Sequence, residues 1–391
     1  MTRAAPPAPR IATASRRGVA LLTALVALLL LALLAVGSMH VGRGDFQRTR
    51  DAGVMRRAAN AADAGAYDIL RRWGTAPYAA TLVGGTIGPD TLRFSAAMAV
   101  TRTMRTSATS FWTESEGRAG DSLARTLARR AVHVAFRLAT PDLPVTATLV
   151  ARDSVELVDS ARVVGTDTSL VAWGATCALT AAVAAVALPD TTRLCDAGCG
   201  GGRTGGRLAG VPPLLEDSSA ADTARYRVFG RETWATLTRH AAIVLPGGSV
   251  VTPSPRLSGA SCDRSFLDNW GAPGGGTDCA LYAPIIWVRG DLELRGGVGQ
   301  GVLLVDGDLT LSGGAWFAGV VIAGDDVQSS GVGGTVLGTV MAGDATVAAG
   351  DHTVLGGSTH LQLSRCAIER ALTWSARLVP VRQRAWAALR D

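Results

Sequence analysis

VRGDLELRGG (residues 288–297), VDGDLTLSGG (305–314), IAGDDVQSSG (322–331) and MAGDATVAAG (341–350) are variations on one unit. Each joins a short apolar run, a Gly-Asp turn, an alternating run and closing glycines. Their aspartates, Asp291, Asp308, Asp325 and Asp344, follow one another at 17, 17 and 19 residues. A fixed period of this size points to turns of chain that cannot bury an apolar side alone and do so by stacking. Residues 282–363 therefore read as a short β-helix, one coil per unit, within a solenoid region of 261–365. Stacking is expected to bury Leu303, Val305, Leu309 and Leu311 against Val320, Ile322 and Val327. Coils ~4.8 Å apart would align the four aspartates in a ladder, and like charges that close repel. Either Asx-turn hydrogen bonds hold each one, or the ladder is a weak site for cations such as calcium. The unit does not match the nonapeptide calcium repeat.

On the C-terminal side, SRCAIERALTWSARLVPVRQRAW (364–386) is amphipathic, with Ile368, Leu372 and Ser375-Ala376 on one face and Pro380 as the stop. The stretch 366–391 reads as a cap helix and tail for the open end of the coils; docking to another subunit is the alternative. On the N-terminal side, 186–260 is a Gly/Pro-rich linking region. Its CGGGRTGGRLAG (199–210) lacks the lysine and the strand-to-helix setting of a phosphate-binding loop. Further back, RFSAAMAVTRTM (93–104), AVHVAFRLA (131–139) and PVTATLVARDSVELVDSARVV (144–164) read as strands. They predict a β-rich head over 74–185, antiparallel and packed on a long helix.

That helix begins in RRGVALLTALVALLLLALLAVG (16–37). From Val19 to Val36 the run holds one polar residue, Thr23, and no charge, and extended to Val41 it suffices to cross a ~30 Å hydrocarbon core. Arg3, Arg10, Arg16 and Arg17 precede it with no acid among them, which keeps the N-terminus on the cytoplasmic side. No proline interrupts residues 19–73, and Met55, Ala59, Ala62, Ala66, Ile69 and Trp73 recur at helical spacing. The first half is oily and the second amphipathic.

Arg-Arg-Gly18 running into Val19-Ala20-Leu21-Leu22, followed by MRRAANAADAGAYDIL (55–70), resembles the PilX-type minor pilins and the large minor pseudopilin of type II secretion. The resemblance covers about 55 residues. It implies a prepilin leader at 1–18, cleavage by a prepilin peptidase between Gly18 and Val19, and methylation of the new N-terminus. It places Asp63 in the acid-containing, alanine-rich patch of the assembly helix. Thr23 stands where major pilins carry a glutamate, which implies a minor, tip-proximal subunit. The implied partners are other pilin or pseudopilin subunits and the inner membrane, which the chain spans once before assembly; periplasm or a cell-surface pilus follows. An uncleaved membrane-anchored adhesin or polysaccharide-binding solenoid is the alternative. The fold class expected is α+β: a long N-terminal helix, pilin-like strands, a short β-helix and a cap helix.

Composition narrows the rest. Charged residues are 18% and glycines number 47, which suits a turn-rich β body. The net charge is +6, yet the arginines are scattered and no basic stripe interleaves with aromatics, so nucleic acid is not an expected partner. Six cysteines allow 15 pairings; Cys262 and Cys279, flanking a Gly/Pro-rich loop, are the favoured pair, and a zinc site at Cys195 and Cys199 is the competing use of two others. The five histidines are dispersed, and His352 and His360 with Asp351 form the one cluster worth weighing. Neither a catalytic motif nor a cofactor fingerprint is present, so the reading is a structural protein without cofactor or resident metal.

Overall fold

The computed structural model describes residues 17–73, 81–120, 126–196, 207–344, 352–381 and 386–389. A single helix, α1 (Arg17–Arg72), is followed by four consecutive antiparallel strands, β1 (Thr86–Arg93), β2 (Ala97–Arg105), β3 (Ser110–Gly120) and β4 (Thr126–Ala139). The stretch 93–104 thus holds the end of β1, a turn and most of β2. The second half of α1 lies on this sheet. Its buried stripe is Val54, Ala58, Ala61, Ala62, Ala66 and Ile69, against Phe111, Val132, Val134, Phe136 and Leu138. Met55, expected in that stripe, is exposed. The stripe runs one residue earlier because small side chains must face β3: a Cβ on Gly117 would lie 1.9 Å from the carbonyl oxygen of Ala58. Helix and sheet backbones meet where both lack bulk.

The rest of the chain is parallel. Five successive turns place one strand in each of two sheets. The first sheet takes Ile243–Pro246, Ile285–Arg289, Val298–Val305, Ala315–Ala323 and Gly334–Ala342. The second takes Ser249–Val251, Leu292–Arg295, Leu309–Ser312, Val327–Ser329 and Thr353–Leu355. Each long strand bends at a glycine, and these stack: Gly301, Gly319 and Gly338 pair in register, with φ of 123°, 139° and 149°. A Cβ on Gly338 would sit 1.8 Å from the oxygen of Gly319, so only glycine fits this column.

The next turn is made from two ends of the chain. His360–Gln362 lies beside the first half of Gly334–Ala342, and Ala147–Ala151 beside its second half. Val155–Leu157 then continues beyond Thr353–Leu355, and Ala184–Leu188 and Leu194–Asp196 extend the stack further. Residues 144–164, expected in the helix-packed head, belong here instead, as does part of the expected linking region from 186. The reason lies in their burial: Ala147–Ala151 and Ala184–Leu188 are buried at every position, as strands covered on both faces must be.

Inside the turns, Leu149, Leu157, Leu188, Ile286, Leu294, Leu303, Leu311 and Phe317 form one core. Leu303 sits over Val321, while Val320 and Ile322 point outward, contrary to the expected packing. The outward set is covered by the crossing segment, through Ala220, Tyr226, Phe229 and Leu237, and by the helix Arg365–Ser375, through Ile368 and Ala371. That helix therefore covers a side of the stack, whereas the sequence suggested an end. Its amphipathic face matches the apolar strip left along the long strands. A disulfide from Cys177 to Cys366, Cα atoms 5.5 Å apart, ties the start of this helix to the loop beside the spliced turn. Arg370 is held between Trp173 and Trp374, 4.9 and 4.0 Å from their ring centroids. After the helix, Arg377–Pro380 and Trp386–Leu389 pair antiparallel with β4, and Trp73 Nε1 donates to the oxygen of Ala376 at 2.8 Å.

Candidate functional site

Two regions remain unusual once the cores are assigned. The first is the front of α1. Gly18 and Val19 lie in its first turn, and every residue from Leu21 to Arg43 is exposed, Thr23 included. Among the described residues this is the one helix long and apolar enough to cross a membrane. Helix-favouring Leu and Ala residues sustain it, and Gly37, Gly42 and Gly44 meet nothing within 4 Å where a Cβ would stand. Asp63 is exposed on the side of α1 away from the sheet. The acid that acts within the chain is Asp68, buried and held by Arg71 and Arg72, the latter also reaching Asp90 of β1 at 3.0 Å. Asp-x-x-Arg-Arg at helical i+3 and i+4 spacing was the sequence signal for this clamp.

The second region is the acidic edge between the two parallel sheets. The sequence aligned Asp291, Asp308, Asp325 and Asp344 in a single ladder; the structure sorts them into two columns. Asp308 N donates to Asp291 Oδ1 at 3.0 Å, and Asp326 N donates to Asp308 Oδ1 at 3.0 Å. The third rung is therefore Asp326. Asp325 falls one place earlier because the third unit is a residue longer before its second strand, Val305 pairing with Ala323 and Leu309 with Val327. Its column runs Gly307, Asp325, Asp344, Asp153, with Asp325 N bonded to the oxygen of Gly307 and Asp344 N to that of Asp325. Asp153 comes from the spliced turn, and no repeat pattern could have found it.

Carboxylate oxygens of Asp308, Asp325 and Asp326 lie within 4.8 Å of one another. Thr353 Oγ1 donates to Asp326 Oδ1 at 3.2 Å. Asp344 is 2% exposed. Burial, and then the carboxylates of Asp153 and Asp325, push its acid up to about 6. Two arginines answer the charge: Arg152 donates to the oxygen of Asp344 at 2.8 Å, and Arg193 pairs with Asp153 at 2.7 Å.

With these geometries in place, comparison with known proteins adds little. No family model matches the chain, and no curated protein matches it in sequence. Among solved structures it is similar to the competence-associated pilin ComZ from Thermus thermophilus, at 13% identity over 86% of this chain and 96% of that one. The TM-score is 0.23, below what chains of one fold share.

The remaining sequence candidates separate. Cys262 and Cys279 are joined, Cα atoms 4.7 Å apart. Cys195 is disulfide-bonded, and Cys199 lies outside the described residues. His352 Nε2 lies 3.0 Å from Glu156 Oε2. His360, on another strand, is pushed down by burial and by Arg162. Asp351 lies outside the described residues.

Proposed function

We propose that this chain is a minor, tip-proximal pilin-like subunit of a type IV pilus or type II secretion pseudopilus. One observation carries the reading: α1 is a single helix whose back half is seated on a sheet and whose apolar front half touches nothing of its own chain. Apolar surface of that extent is costly in water, at ~25 cal/mol per Å². It needs lipid before assembly and neighbouring helices afterwards. In this reading a prepilin peptidase cuts after Gly18, Val19 becomes the methylated N-terminus, and the chain leaves a single-pass inner-membrane state for the periplasm or the cell surface. Thr23 withholds the buried carboxylate that would register a repeating subunit, which suits a tip position. Asp63, facing outward, is left for a neighbouring pilin or pseudopilin. The role is structural and calls on no cofactor.

Peptide mass mapping of the membrane-extracted protein tests this. A chain beginning at Val19, and an uncleaved Gly18→Trp variant, are the expected results. A native chain still carrying Met1 or Thr2 would overturn processing and leave an uncleaved surface adhesin or polysaccharide-binding protein anchored by the same helix.

A further inference from the structure

We propose that the acidic edge is a calcium-class cation site, formed by Asp308, Asp325 and Asp326 and completed from the spliced turn side by Asp344 and Asp153. Two oxygens bound to one calcium ion, each at 2.3–2.6 Å, lie no more than about 5 Å apart. The three carboxylates of Asp308, Asp325 and Asp326 meet that spacing without any rearrangement.

Acidic clusters are common on protein surfaces, and spacing alone would not distinguish this one. The distinguishing group is Asp344. It is 98% buried, it lies against the carboxyl groups of Asp153 and Asp325, and its Oδ1 has no hydrogen-bond partner. A buried carboxylate oxygen turned toward other carboxylates, with no donor, is costly for a fold to keep. A hard cation answers it directly, since calcium takes six to eight oxygens and prefers several carboxylates among them. Five carboxylates converge here, and the arginines do not neutralise them. Arg193 engages only Asp153, and Arg152 bonds the backbone oxygen of Asp344 rather than its carboxylate.

The arrangement also gives the ion a structural task. Asp308, Asp325, Asp326 and Asp344 belong to consecutive turns of the later chain, whereas Asp153 belongs to the segment that stacks on them from nearly 200 residues earlier. A cation held by both would fasten the splice. The proposal is independent of whether the leader is removed.

The test uses the full chain in detergent, titrated with calcium chloride by calorimetry and melted in 1 mM calcium or in EDTA. One calcium per chain and a melting temperature higher by several degrees in calcium are expected. Asp344→Asn and Asp325→Asn should each weaken binding at least ~10-fold, by removal of a charged ligand. In EDTA both variants should melt no lower than the native chain, because the change relieves like-charge repulsion. That second measurement separates loss of a ligand from loss of the fold. No calcium heat together with identical melting in calcium and EDTA would overturn the site, as would native calcium affinity in Asp344→Asn.

Discussion

The helix-backed sheet and the parallel stack solve the same burial problem with opposite means. In the first, β1 to β4 follow one another in sequence and in space, and the cover is a helix whose buried face is mostly alanine. In the second, each strand pairs with one a full turn away, and the cores are Leu, Ile, Val and Phe on both faces of the long strands. Glycine serves each differently. Gly117 makes room for a different kind of element, whereas Gly301, Gly319 and Gly338 make room for further copies of the same strand. Hence an error in the first region loosens one interface, while an error in the second interrupts a series.

The largest expected effect follows from that contrast. Gly338→Val puts a side chain into the carbonyl of Gly319 at positive φ. It should cost on the order of 4 kcal/mol or more, with amide-exchange protection lost across 298–342. Protection retained there would mean that the turns are not a series. Second are the disulfides. In the chain-entropy account, opening Cys177–Cys366 (separation 189) by Cys366→Ser costs about 5 kcal/mol, against about 3 for opening Cys262–Cys279 (separation 17). Denaturant melts of the two variants should keep that order. Third, Gly117→Val should destabilise by about 3 kcal/mol. It should expose amides of residues 54–69 and β3 while 285–342 stays protected; uniform loss of protection would erase the distinction between the regions.

The smallest effect concerns acid. Asp344 titrates near 6 in the folded chain and near 3.9 when unfolded. The folded state thus holds the extra proton between those values, and stability rises as pH falls from about 7 to about 4. In EDTA this contribution should be on the order of 1–2 kcal/mol, read as the difference in pH dependence between native protein and Asp344→Asn. A variant with native pH dependence would remove Asp344 from the account.

Much of this was legible in the sequence where the signal is local. The apolar run from Val19, the Gly-Asp units and the amphipathic tail each announce an element by its own period. What was not legible depends on distant chain. Residues 147–164 alternate like any edge strand, and nothing in them says that their partners are 334–362. The one-residue slip between Asp325 and Asp326 was hidden because a repeated Gly-Asp pair invites alignment on its first aspartate, while the strands align on the residue after the turn. Met55 was misplaced for a related reason: helical spacing fits several phases, and the bare backbone at Gly117 selects one.

The splice has a consequence for how the molecule comes into being. A chain delivered across a membrane from its N-terminus presents Ala147–Ala151 and Ala184–Leu188 long before His360–Gln362 arrives. Until then the strand that begins the early segment has no partner on one side, and a product ending anywhere before residue 352 leaves that side open for good. Vectorial emergence and the order of stacking run against each other, so completion of this body is a check that the whole polypeptide has been delivered.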